Sequence, residues 1–232
     1  MDWWEVVRER LVPAGGEVTA YGLVIVVALA AGAVLWQPVW RRLRVVVTLA
    51  HELGHALVGM ACGRRFTGFV VRGDASGHAV TVGPARGIGR IATTWAGYPA
   101  PALASLLLIW AGTSGYAAPV LTALLLLLLA VVTQVRSLGT AAVVVLVLAA
   151  TAALWWWRDD TVQAYAAALT GLVLLAGAWR GLVDVARHGR AIDDHAVLAS
   201  LTRTPRALWL LSWFLVIGSV TATAARQLLG AG

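Results

Sequence analysis

Apolar residues run along the chain in seven long blocks: Tyr21 to Trp36, Leu43 to Cys62, Ile91 to Ala111, Ala117 to Val135, Leu138 to Trp157, Val162 to Trp179 and Ala207 to Ala225. A spanning helix needs about 20 mostly apolar residues. The pattern therefore predicts an all-α polytopic membrane protein with six to seven transmembrane helices, the first block being short for a span. Trp36, Trp40, Trp155 to Trp157, Trp179 and Trp209 stand at block ends, where interfacial aromatics belong. The segment 1–17, with Trp3 and Trp4 among alternating charges, reads as an interfacial helix.

Two stretches interrupt the apolar pattern. Phe66 to Val82, "FTGFVVRGDASGHAVTV", sets β-branched and aromatic residues around Gly-Asp-Ala-Ser-Gly and predicts a β-hairpin. Residues 180–205 are polar and read as a linker. With no internal repeat and no segment long enough for a soluble domain, the chain reads as one integral-membrane domain, 1–232.

Composition agrees. The chain is 60% hydrophobic and 12% charged, about half the charge of an average soluble domain. All 18 basic residues are arginine, and there is no lysine or asparagine. The arginines sit at the ends of apolar blocks, so the net charge of +7 points to anionic lipid headgroups and not to nucleic acid. Only Arg41, Arg42, Arg44, Arg158 and Arg226 fall opposite the side of the N-terminus. The positive-inside rule then predicts a multi-pass cell-membrane protein with its N-terminus, hairpin and polar linker in the cytoplasm. The first apolar block lacks a following cleavage site and polar mature sequence, and reads as an uncleaved span. Cys62 is the single cysteine, which excludes an intrachain disulfide or a multi-cysteine metal site.

Candidate chemistry lies in the second block. "TLAHELGHALVGMA", Thr48 to Ala61, holds His51, Glu52 and His55 as His-Glu-x-x-His. Positions i and i+4 stack on one helix face. Two imidazoles placed so can share a zinc ion, and the glutamate can serve as general base. A strongly polar group at the bilayer centre costs roughly 2.5–3.5 kcal/mol on insertion scales, so such groups are usually functional. The plainer alternative is a polar cluster that holds helices together. Gly54, Ala56 and Gly59 beside the motif would let another helix approach closely. "GYPAP", Gly97 to Pro101, would break the third helix, either as a proline kink or where it lines a cavity.

These segments resemble the intramembrane site-2 protease family of zinc metallopeptidases, more closely its short actinobacterial-type branch described as peptidase family M fifty B-like. The resemblance rests on "AHELGHALVG", "GRRFTGFVVRGDASGHAVT", "WAGYPAPAL", "QVRSLG" and "DDHAVLASLTRTP", in the expected order. It implies a membrane-embedded zinc endopeptidase that cuts other membrane proteins in or near their transmembrane segments. It also implies a hairpin that offers an edge strand to an unwound substrate.

A catalytic zinc takes three protein ligands. Depth and side leave Asp74, His78, Asp184, His188, Asp193, Asp194 and His195 as candidates for the third. The resemblance favours Asp194, which precedes a Leu-Ala-x-Leu-Thr run; Asp193 or Asp194 could instead cap a helix. The family's Asn-Pro-Asp-Gly motif is absent, and Ser137 stands where the branch is expected to place asparagine. Gln134 could hydrogen-bond an extended substrate backbone, or cap the fourth helix. The expected partners are thus Zn²⁺, the lipid bilayer and a membrane-protein or peptide substrate. Two rival readings share the histidines: an inactive zinc-binding chaperone or regulator, and a small metal or proton transporter.

Overall fold

The structure, a computed structural model, describes residues 3–16, 18–71 and 77–231. Each apolar block is helical. After a short helix α1 (Trp3–Glu9) come α2 (Ala20–Leu35) and α3 (Gln37–Ala61), joined only by Trp36. Strands β1 (Arg65–Val71) and β2 (Gly77–Val82) follow, then α4 (Ile88–Trp95), α5 (Pro99–Thr113), α6 (Ala117–Val132), α7 (Leu138–Trp156), α8 (Asp160–His188), α9 (Asp194–Thr202) and α10 (Arg206–Gly230). Helix starts follow local chemistry. Thr19, Ser137 and Asp159 accept from the backbone N–H three residues on, at the heads of α2, α7 and α8. By length and composition α3, α7, α8 and α10 can cross a membrane, while α2, α5 and α6 are shorter apolar helices.

The third apolar block is two helices, because the chain breaks at 96–98 ahead of Pro99. The polar stretch 180–205 is not a linker. Helix α8 runs through it to His188, and α9 occupies 194–202. At 29 residues α8 is about 43 Å long, more than the ~30 Å thickness of a hydrocarbon core.

The centre is α5 packed antiparallel on α8. Gly171 lies against Ser105 and Ile109, and Gly112 against Ala164, so the two backbones come close where side chains are missing. Trp213 and Ile217 of α10, both with no exposed surface, complete this core. Helix α2 runs parallel to α8: Thr19 N–H donates to the Tyr165 hydroxyl at 3.0 Å, and Arg180 donates to the Val34 carbonyl at 2.7 Å. Helix α3 behaves differently. Trp40 lies over the Arg180 guanidinium at 4.5 Å, and Val47 sits against Gly177. Positions seven apart on α3 meet positions three apart on α8, so α3 crosses the bundle obliquely.

The expected hairpin forms, antiparallel with Phe69 opposite Ala79 and Val71 opposite Gly77. Its tip, 72–76, lies outside the described residues, and Asp74 with it. The register slips between Phe66 and Gly68, where Gly68 has φ +130°, a bulge that glycine accommodates. Residues 134–136 add to the other edge of β1: Phe69 N–H donates to the Gln134 carbonyl, and Arg136 N–H to the Phe69 carbonyl, both at 3.2 Å.

Both described termini lie at the end opposite the hairpin. Arg10 donates to the carbonyls of Trp155 and Trp156 at the end of α7, and Gln227 of α10 donates to Thr113 and Ser114 at the end of α5. The N-terminal segment and the hairpin therefore lie at opposite ends of the bundle, whereas the sequence reading put them together. That expectation counted α3 as running the full length of the bundle, and its path is oblique. Arg10 is also stacked at 4.6 Å on Trp155 and bonded to the Val6 carbonyl, with 6% of its surface exposed. Arg10→Ala should cost about 2–3 kcal/mol by removing charge-assisted bonds to partly buried carbonyls, seen as a lower midpoint of thermal unfolding in detergent.

Candidate metal centre

Helix α3 carries His51 and His55 one turn apart on one face, as the spacing predicts. Their Nε2 atoms are 3.1 Å from each other. Asp194, in the first turn of α9, places Oδ2 at 3.4 Å from His51 Nε2 and 3.2 Å from His55 Nε2. A tetrahedral centre with ligand bonds of ~2.0–2.1 Å has edges of about 3.3–3.4 Å. The three atoms thus match one face of such a centre, and among the described residues this is the group that could hold a metal ion.

The surroundings suit that use. His55 Nδ1 sits 2.7 Å from the Thr93 carbonyl. A carbonyl only accepts, so Nδ1 carries the proton and Nε2 is left with its lone pair toward the cluster. Gly97, in the break between α4 and α5, faces both imidazoles; a Cβ there would lie 2.6 Å from His51 Nε2 and closer still to His55. Gly54 permits the approach of α3 to that break, its missing side chain being filled by Ala96 and Ala100. Burial pushes the Asp194 carboxyl up, but hydrogen bonds with His51 and His55 outweigh it and hold the group below the usual carboxylate range.

Glu52 points from α3 toward the sheet and is 5% exposed. The first residue of β2, Gly77, lies directly on its carboxylate, where a Cβ would collide with Oε1. The groups open into a cleft of about 240 Å³ between β2, α4 and α9. A larger groove of about 560 Å³ at the far end, lined by Leu125, Leu129 and Trp155 to Trp157, is apolar and offers no chemistry.

The remaining sequence candidates are elsewhere or in other roles. Asp193 turns back to accept from Arg190 N–H at 2.6 Å, which shapes the turn into α9 and leaves Asp194 facing the histidines. Asp184 and His188 pair with each other on the exposed end of α8. His195 is buried against Gly189, and His78 lines the cleft from β2. Gln134 and Ser137 lie on the β1 side of the sheet. Gln134 gives its carbonyl to Phe69, while Ser137 caps α7 and bonds Thr140, whose hydroxyl holds Val71 N–H at 2.7 Å. Thr93, Tyr98 and Gly77 were not named from the sequence as site residues, and Gly97 was named only as part of a helix break. The broken-helix signal of "GYPAP" pointed to the right segment without naming the contacts.

A protein-family model described as Peptidase M50B-like matches residues 24–224. The chain belongs to this peptidase family. No curated protein and no solved structure matches it. For an M50B-like peptidase with apolar helices, a membrane metallopeptidase function follows, and the His51, His55 and Asp194 cluster fits a metal cofactor. Gly97→Ala should disturb this site directly. Metal affinity should fall on the order of 10–100-fold, the loss seen when groups around a ligand are displaced, measured by chelator competition in detergent.

Proposed function

We propose that this M50B-like protein is a zinc-dependent intramembrane endopeptidase that hydrolyses peptide bonds of membrane-protein substrates in or near their transmembrane segments. The observation that carries the reading is the convergence of three ligand atoms, 3.1–3.4 Å apart, beside a buried glutamate at the wall of an open cleft. His51, His55 and Asp194 hold the ion. Two imidazoles and one carboxylate are a donor set of catalytic zinc peptidases. Zinc, when bound, supplies Lewis acidity to a peptide carbonyl and to water. Glu52, next to the ligands and shielded by Gly77, takes the proton from the attacking water and returns it to the leaving amine.

Substrate backbone fits β2 better than Gln134 or Ser137. Residues 134–136 occupy the outer edge of β1, whereas Gly77, His78, Ala79 and Thr81 of β2 line the cleft. An extended segment added to the β2 edge would run past the metal ligands. Glu52→Gln should lower cleavage of a transmembrane-peptide reporter by ~10²-fold or more while zinc stays bound, whereas Asp194→Ala should lose the zinc. Undiminished cleavage by Glu52→Gln would sink the mechanism.

The seven apolar helices are read as six crossings (α2, α5, α6, α7, α8 and α10), with α3 oblique within the hairpin half. The hairpin end carries Arg64, Arg65, Arg86, Arg90, Arg136, Arg187, Arg190, Arg203 and Arg206; the far end carries Arg8, Arg10, Arg158 and Arg226. The positive-inside rule puts the hairpin and cleft in the cytoplasm and the N-terminus outside. Cys62 is exposed at the hairpin end. On intact cells a membrane-impermeant maleimide should miss Cys62 and should label Glu5→Cys in a Cys62→Ser background. The reverse pattern would invert the orientation.

A further inference from the structure

The two imidazoles are held by different means. His55 is fixed by its bond to the Thr93 carbonyl. His51 has no such partner for its second ring nitrogen among the described residues; its ring meets Tyr98 edge to face, with centroids 4.9 Å apart and planes at 87°. Tyr98 is stacked in turn on Trp213 of α10, at 4.2 Å and 23°. Trp213 is fully buried, and its indole N–H donates to the Trp95 carbonyl at 3.0 Å. The Trp95 indole donates back to Ser212 at 2.9 Å, so α10 and the end of α4 are cross-linked twice.

A ligating histidine usually donates its other ring N–H to a carboxylate, carbonyl or water, which sets the ring's rotation. Without that bond the outer torsion of a histidine is broad. An edge-to-face aromatic contact is directional because the ring face is negative and the edge positive. We infer that Tyr98, backed by Trp213, is the positioning residue for His51, its ring fixing the rotation of the imidazole through the edge-to-face contact. This rests on the reading of His51, His55 and Asp194 as the metal site. The role belongs to the ring and not to the hydroxyl, so phenylalanine serves and an aliphatic side chain does not.

The test measures zinc affinity of the full chain in detergent by chelator competition, together with the visible absorption of the cobalt-loaded protein. Tyr98→Phe should stay near the parent value on both. Tyr98→Leu should weaken zinc binding 10–100-fold and shift the cobalt bands. Ser212→Ala, which removes the bond from Trp95 and loosens the same junction of α4 and α10 but leaves Tyr98 on His51, should keep the parent affinity. Parent-like affinity and spectrum in Tyr98→Leu would overturn the inference. So would an equal loss in Ser212→Ala, because general loosening of the junction would then carry the effect. A parent chain that binds no zinc would instead remove the metal site itself, and this inference with it.

Discussion

The hydrogen bond from His55 to the Thr93 carbonyl is the contact on which the site depends. Thr93 lies in the last turn of α4, where carbonyls have no intrahelical donor. Were the third apolar block one continuous helix, the N–H of Gly97 would claim that carbonyl. The break before Pro99 frees it, and His55 takes it at 2.7 Å. One interruption in a membrane helix thus produces the acceptor that sets a tautomer, the glycine that leaves room for two imidazoles, and the tyrosine that faces the second ring. Irregular backbone in an apolar bundle is tolerated where its polar groups find partners, and here a candidate metal ligand is the partner.

Packing around the break explains why it holds still. Gly54 brings α3 against Ala96 and Ala100 on one side, and the paired indoles of Trp95 and Trp213 tie it to α10 on the other. Glu52 is covered from a third direction by Gly77. Glycine recurs at these approaches because backbone, not side chain, forms much of the wall. A wall of backbone varies little in shape when surface residues change, which suits a site whose ligand atoms must keep spacings of 3.1–3.4 Å.

Much of the fold was legible because apolar length and helical spacing are local properties. The apolar blocks, the hairpin and the His51, Glu52 and His55 triad could be read off directly. Asp194 was reached through the order of motifs, since no spacing rule links residue 194 to residue 51. The stretch 180–205 misled because charge marks the end of the apolar layer and not the end of a helix; α8 continues past it. The placing of the N-terminus at the hairpin end misled because the oblique path of α3 is a tertiary fact, set by Trp40 on Arg180 and Val47 on Gly177. The Thr93 carbonyl was invisible for a simpler reason: every residue has one.

The candidate ligands are drawn from α3 and from α9, near opposite ends of the chain. During synthesis, His51 and His55 are made long before Asp194. A half-made chain therefore carries the imidazoles and Glu52 without the carboxylate that completes the set. The proposed site can therefore close only once α9 has been made, however early the motif on α3 is in place.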